Sequence, residues 1–111
     1  MSGAPASSRL LAETGRLAIR VAGQVQGVGF RPHVRRIAAG RGLSGFVLND
    51  AEGVLIEAQG GDLQAFVDEL AAKAPRLAQI DSLETRAVQR CEGELGFAIR
   101  PTVPGGAVST V

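Results

Sequence analysis

Hydrophobic residues along this chain switch between strand spacing and helix spacing, and the order of those switches restricts the fold more than any other feature. Leu17, Ile19 and Val21 alternate with Ala18, Arg20 and Ala22, the period of a half-buried strand. Phe30, Val34, Ile37 and Ala38 then recur on one helical face. Pro32 falls in the first turn of that helix, where a missing N–H costs nothing, and Gly40 and Gly42 end it. Residues 43–49 and 54–59 read as two further strands, joined by a hairpin turn at Asn49-Asp50-Ala51-Glu52-Gly53. Asp62 can cap a second helix with Leu63, Phe66, Val67 and Leu70 on its apolar face, and Pro75 stops it. Residues 80–88 are a fourth strand, Gly93 marks a turn, and residues 97–100 form a short fifth strand.

The order is β-α-β-β-α-β with one strand added at the end. Two helices can cover only one face of one sheet. The expected class is therefore α+β, a ferredoxin-like sandwich with an antiparallel sheet and both helices on one face. A length of 111 residues suits a single domain. We place it at residues 16–101, between an N-terminal tail at 1–15 and a C-terminal linker or tail at 102–111, which carries Pro104, Gly105 and Gly106 but no strand or helix period. The first residues contain only the short apolar patch Leu10-Leu11-Ala12, which argues against a secretory leader or a membrane span. The expected location is the cytoplasm, with no membrane partner.

Composition removes several kinds of chemistry. Cys91 is the only cysteine, so an internal disulfide or a cysteine-rich zinc site is excluded, and His33 is the only histidine. The aromatic residues are four phenylalanines, a poor supply for base stacking. The net charge is +1, which argues against a nucleic-acid partner. That small total hides an asymmetry. Between Arg20 and Asn49 the bases Arg20, Arg31, Arg35, Arg36 and Arg41 meet no acid, whereas residues 50–99 hold ten acids against four bases. A basic stretch without local neutralisation favours an anionic ligand.

The glycines of that stretch point the same way. Gly23-Gln24-Val25-Gln26-Gly27-Val28-Gly29-Phe30-Arg31 leaves a strand and enters a helix N-terminus. That position aims free backbone N–H groups and the positive end of the helix dipole at one place. Glycines at 27 and 29 permit positive φ, so successive N–H groups can form a concave nest. Arg31 can add a guanidinium to the same anion. The implied ligand is a phosphate group, bound by Gln24, Val25, Gln26, Gly27, Val28, Gly29, Phe30 and Arg31. Two common phosphate motifs fail: a Walker loop needs Lys-Ser/Thr where Phe30 and Arg31 stand, and a dinucleotide fingerprint starting at Gly27 needs a small residue where Pro32 stands.

The full string V-Q-G-V-G-F-R, residues 25–31, closely resembles the active-site signature of the acylphosphatase family. The second signature of that family, G-x-V-x-N, is matched by Gly45-Phe46-Val47-Leu48-Asn49. The resemblance spans roughly residues 16–101, and the fold it implies is the ferredoxin-like sandwich. G-V-G-F-R-P at 27–32, together with the blocks at 43–50, 53–57, 75–82 and 97–101, is similar to the N-terminal domain of the hydrogenase-maturation carbamoyltransferases, a subgroup in which this domain precedes zinc- and nucleotide-binding modules.

What the resemblance implies is specific. Arg31 corresponds to the phosphate-binding arginine and Asn49 to the residue that positions the attacking water; both are the expected catalytic residues. Neither a metal nor any other cofactor is implied. The expected substrate is an acyl phosphate, carbamoyl phosphate in the subgroup, and the expected partners are downstream domains of a longer parent chain and other hydrogenase-maturation proteins. A stand-alone general acylphosphatase and a non-catalytic protein-binding module on the same fold are the alternatives. Of the remaining residues, Arg35 reads as solvated, His33 as a surface or packing residue and Cys91 as a bystander. Gln24 and Gln26 can border the pocket, Gln26 through its backbone.

Overall fold

The computed structural model describes residues 15–104. The expected tails therefore lie largely outside the described residues. Five strands and two helices follow in the order β1 (Arg16–Gln24), α1 (Phe30–Gly40), β2 (Ser44–Asp50), β3 (Gly53–Gln59), α2 (Leu63–Ala72), β4 (Gln79–Ala87) and β5 (Phe97–Ile99). One sheet contains all the strands in the order β4-β1-β3-β2-β5. The pairs β1–β3, β1–β4 and β2–β3 are antiparallel. The added strand departs from the expected antiparallel sheet, because β5 runs parallel to β2. The cause is topological: β2 runs opposite to β4, so a chain that reverses once after β4 arrives alongside β2 in the same direction.

The alternation read in the sequence decides which side chains meet. Leu17, Ile19 and Val21 of β1, Val47 of β2, Val54, Ile56 and Ala58 of β3 and Phe97 of β5 face the helices. They pack against Phe30, Val34, Ile37 and Ala38 of α1 and Leu63, Phe66, Val67 and Leu70 of α2. Asp62 caps α2 as expected, its carboxylate accepting from the amide of Ala65 at 3.0 Å. His33 belongs to this packing: it is buried, with Nε2 3.2 Å from the carbonyl oxygen of Leu70 and its ring 5.5 Å from that of Phe30.

The two ends of the sheet differ in character. At the start of β1, Arg16 is 1% exposed, and its guanidinium donates to Glu57, Gln59 and Glu94. Gln59 in turn brackets Cys91, donating to its carbonyl and accepting from its amide, so the chain between β4 and β5 is anchored there. Burial alone would lower the Arg16 pKa, but the bonds and charges of Glu94 and Glu57 outweigh it and raise it. Because β1, β2 and β5 share one direction, their C-terminal ends, Gln24, Asp50 and Ile99, open together at the opposite end, where α1 begins.

Candidate active site

At that end, residues 25–29 link β1 to α1. Gly27 has φ 75° and Gly29 has φ 83°, both in the left-handed region. An added Cβ at either position would meet nothing within 4 Å. Glycine is required there for backbone conformation, not for space. Gly29 is the N-cap of α1 and supplies no side-chain cap; its carbonyl takes the first helical bond, from the amide of His33 at 3.2 Å. Among the described residues, no hydrogen bond takes up the amides from Gln26 to Arg31. A loop that leaves its donors free at a helix N-terminus has the electrostatics of an anion site.

Arg31 occupies the first turn of α1. It is partly exposed and pairs with no carboxylate among the described residues, while its Nη1 donates to the carbonyl of Arg100 at 3.4 Å. The expectation that the whole basic stretch awaits an anion is narrowed by the fold. Arg20 pairs with Asp50 at 2.6 Å and Arg41 with Glu69 at 2.8 Å. Arg35, read as solvated, donates Nε to the carbonyl of Phe97 at 3.2 Å.

Asn49, expected where the second strand meets the hairpin turn, lies inside β2 in register with Val54; the turn is shorter than the expected 49–53, because only Ala51 and Glu52 separate the paired residues Asp50 and Gly53. Alternation then turns the Asn49 side chain to the helix side, in line with Val47. Asn49 is 5% exposed, and its Oδ1 is buried with no partner among the described residues. An unpaired buried acceptor is costly and uncommon in native proteins, which makes it a candidate for ligand contact. The signature glycine four residues earlier also has a physical reason: a Cβ on Gly45 would stand 1.9 Å from the carbonyl oxygen of Glu57, so β2 and β3 can approach only with glycine there.

Two features of this end were not legible from the motifs. The chain continues along β2 past β5, with the Arg100 amide donating to Val47 O at 2.8 Å and the Val103 amide to Asn49 O at 2.8 Å. The linker expected from residue 102 is thus bonded to β2 at its start. Gln26, expected to act through its backbone, donates its side-chain Nε2 to Asp50 O at 2.8 Å and Gly53 O at 2.9 Å. A hollow of about 490 Å³ lies between loop and hairpin, lined by Gly23, Gln24, Gln26, Val28, Ala51, Glu52 and Gly53, and by neither Arg31 nor Asn49. Cys91 is exposed, and the Arg16 network places its loop at the far end of the sheet.

The sandwich of one sheet and two helices is shared with a solved acylphosphatase, and residues 17–99 match the Acylphosphatase family: the chain belongs to it and is an enzyme of acylphosphatase type. Within that family the likeness reaches a larger enzyme. The chain is 50% identical over 93 residues to carbamoyltransferase HypF of Rhodobacter capsulatus, a match covering 84% of this chain and 12% of that one. A crystal structure of full-length HypF in the phosphate- and nucleotide-bound form is similar at a TM-score of 0.76 and 34% identity, over 83% of this chain and 12% of that chain. The acylphosphatase from Bacillus subtilis is similar at a TM-score of 0.70 and 34% identity, over 77% of this chain and 97% of that one. The chain thus spans about 12% of the length of the carbamoyltransferases that it matches. No helix among the described residues is long and apolar enough to cross a membrane.

Proposed function

We propose that the chain hydrolyses carbamoyl phosphate to phosphate and carbamate, the first step of carbamoyl transfer in the maturation of nickel–iron hydrogenases. The observation that carries this reading is the pairing of a donor-rich loop, residues 24–31, with a buried Asn49 acceptor at the same end of the sheet. The likeness to a carbamoyltransferase, rather than to small acylphosphatases alone, supports the choice of substrate.

The free amides of the loop hold the equatorial phosphoryl oxygens, and the guanidinium of Arg31 supplies a full positive charge. Phosphoryl transfer asks mainly for such positioning and charge stabilisation. Asn49 Oδ1 accepts a hydrogen bond from the attacking water and orients it without acting as a strong base. The water oxygen bonds to phosphorus as the bond from phosphorus to the acyl oxygen breaks. The carbamate leaves with the bonding electrons, and a substrate phosphoryl oxygen takes the proton of the water. No side-chain nucleophile is used. Downstream domains of a parent chain would receive the carbamate in the cytoplasm, together with other maturation proteins.

The test is phosphate release from carbamoyl phosphate and from the bulkier benzoyl phosphate, by the wild-type chain and by Arg31→Ala. The reading expects preference for carbamoyl phosphate and loss of both activities in the variant. Equal use of the two substrates would favour a general acylphosphatase. A folded wild-type chain that released phosphate from neither would overturn the enzymatic reading in favour of a binding module.

A further inference from the structure

We propose that the Gln26 side chain is a positioning residue that fixes Asn49 relative to the phosphoryl-binding loop. The inference rests on the reading given above and assigns to Gln26 a task separate from holding phosphate. Gln26 belongs to the loop, yet its carboxamide turns away from it. The two hydrogens on Nε2 go to Asp50 O and Gly53 O, at 2.8 and 2.9 Å. These carbonyls belong to the paired residues that close the β2–β3 turn. A carboxamide nitrogen has two donors, so both are used on this one contact.

Among the described residues, these are the only hydrogen bonds between residues 24–31 and the hairpin. Asn49 precedes Asp50, so its main chain is one peptide unit from the clasp. The Asp50 side chain is held separately: Arg20 donates to its carboxylate at 2.6 Å, and the amide of Glu52 donates to the same carboxylate at 2.9 Å. Arg20 is itself in β1, and the β1–β3 ladder ends with Val21 opposite Val54; both tie the hairpin to the sheet, and neither reaches across to the loop at 25–29, whose spacing from the hairpin needs a contact of its own. The Gln26 clasp sets that spacing. A water placed by Asn49 must meet a phosphorus placed by the loop, and a small misplacement of either is costly in rate.

The clasp predicts a divided effect. Gln26→Met keeps a side chain of similar length and removes both donors; its kcat should fall up to about thirtyfold, the size of two neutral hydrogen bonds. The inhibition constant of inorganic phosphate should stay within about twofold, because the loop amides and Arg31 are untouched. Gln26→Glu adds a signature that a merely structural role would not give. Its carboxylate faces two carbonyl oxygens and repels the hairpin, whereas the protonated form regains one donor. The ratio of variant to wild-type kcat should therefore rise as pH falls through the range where carboxyls protonate.

Amide hydrogen exchange of Ala51 and Glu52 gives a readout independent of catalysis. Both variants should exchange faster there than the wild type, with the core strands unchanged. Wild-type exchange together with wild-type kcat in a folded Gln26→Met variant would overturn the proposal. So would equal losses of kcat and phosphate affinity, which would make Gln26 part of the phosphate site. If the wild-type chain hydrolyses no acyl phosphate, the functional reading fails, and unchanged exchange at Ala51 and Glu52 in Gln26→Met would separately remove the clasp.

Discussion

The amide of Val103 donates to the carbonyl oxygen of Asn49 at 2.8 Å, so the chain beyond the last strand holds the residue that is proposed to orient water. Three residues earlier, the Arg100 carbonyl accepts from the Arg31 guanidinium. One short segment therefore touches both proposed catalytic residues. Val103→Pro removes the donor and leaves the chain length unchanged. We expect about a fivefold fall in kcat, and the roughly 1 kcal/mol of one net hydrogen bond should lower the thermal midpoint by about 4–8 °C. Steady-state phosphate release, with a melting curve on the same sample, checks it.

Gly29 tests the conformation of the loop. Its φ of 83° sits in a region that L-residues avoid, while its surroundings would admit a methyl group. Gly29→Ala should cost roughly 1–2 kcal/mol of stability from backbone strain. If the loop relaxes instead, that strain appears as weaker inhibition by inorganic phosphate. Urea denaturation and phosphate inhibition, measured together, separate the two responses.

Acid should loosen the hairpin. Burial alone would raise the Asp50 carboxyl, but the bond and charge of Arg20 and the amides of Glu52 and Gly53 hold it below its ordinary 3.8. The folded chain thus binds this proton less readily than the unfolded chain. The stabilisation is complete above about 3.8 and is lost as pH falls through the lowered value. Asp50→Asn should therefore be less stable than wild type at neutral pH, and the gap should close in strong acid. Melting curves across that range measure it.

Much of the fold was legible because each element announces its period. Leu17, Ile19 and Val21, and the Phe30–Ala38 stripe, reach the core from positions that alternation and helical spacing assign them. The bend of the loop was legible in Gly27 and Gly29, which both take the positive φ that the sequence allowed them. The turn read at 49–53 was too long: Asn and Asp favour turns, but the register pairs Asn49 with Val54 and Asp50 with Gly53 and leaves only Ala51 and Glu52. The roles of Gln26 and Val103 were hidden for another reason. Both bond to main-chain atoms of the hairpin strand, and a main-chain acceptor leaves no mark in sequence.

Arg16 offers a control at the other end of the sheet. The strand that begins with Arg16 ends at Gln24, about 26 Å away at the usual rise per residue. Arg16→Met leaves Glu57 and Glu94 without their guanidinium and should cost roughly 3 kcal/mol of stability. At a temperature where the variant is folded, its kcat should equal that of wild type. A fall in kcat would show that the two ends are coupled.

The central claim is that Asn49 orients water for attack on a phosphoryl group held by the loop and Arg31. Its most direct test is Asn49→Ala, measured for carbamoyl phosphate turnover and for inhibition by inorganic phosphate. Loss of one oriented transition-state contact should lower kcat roughly 10²–10³-fold, with the inhibition constant nearly unchanged. A folded Asn49→Ala chain that turns over at the wild-type rate would contradict the account.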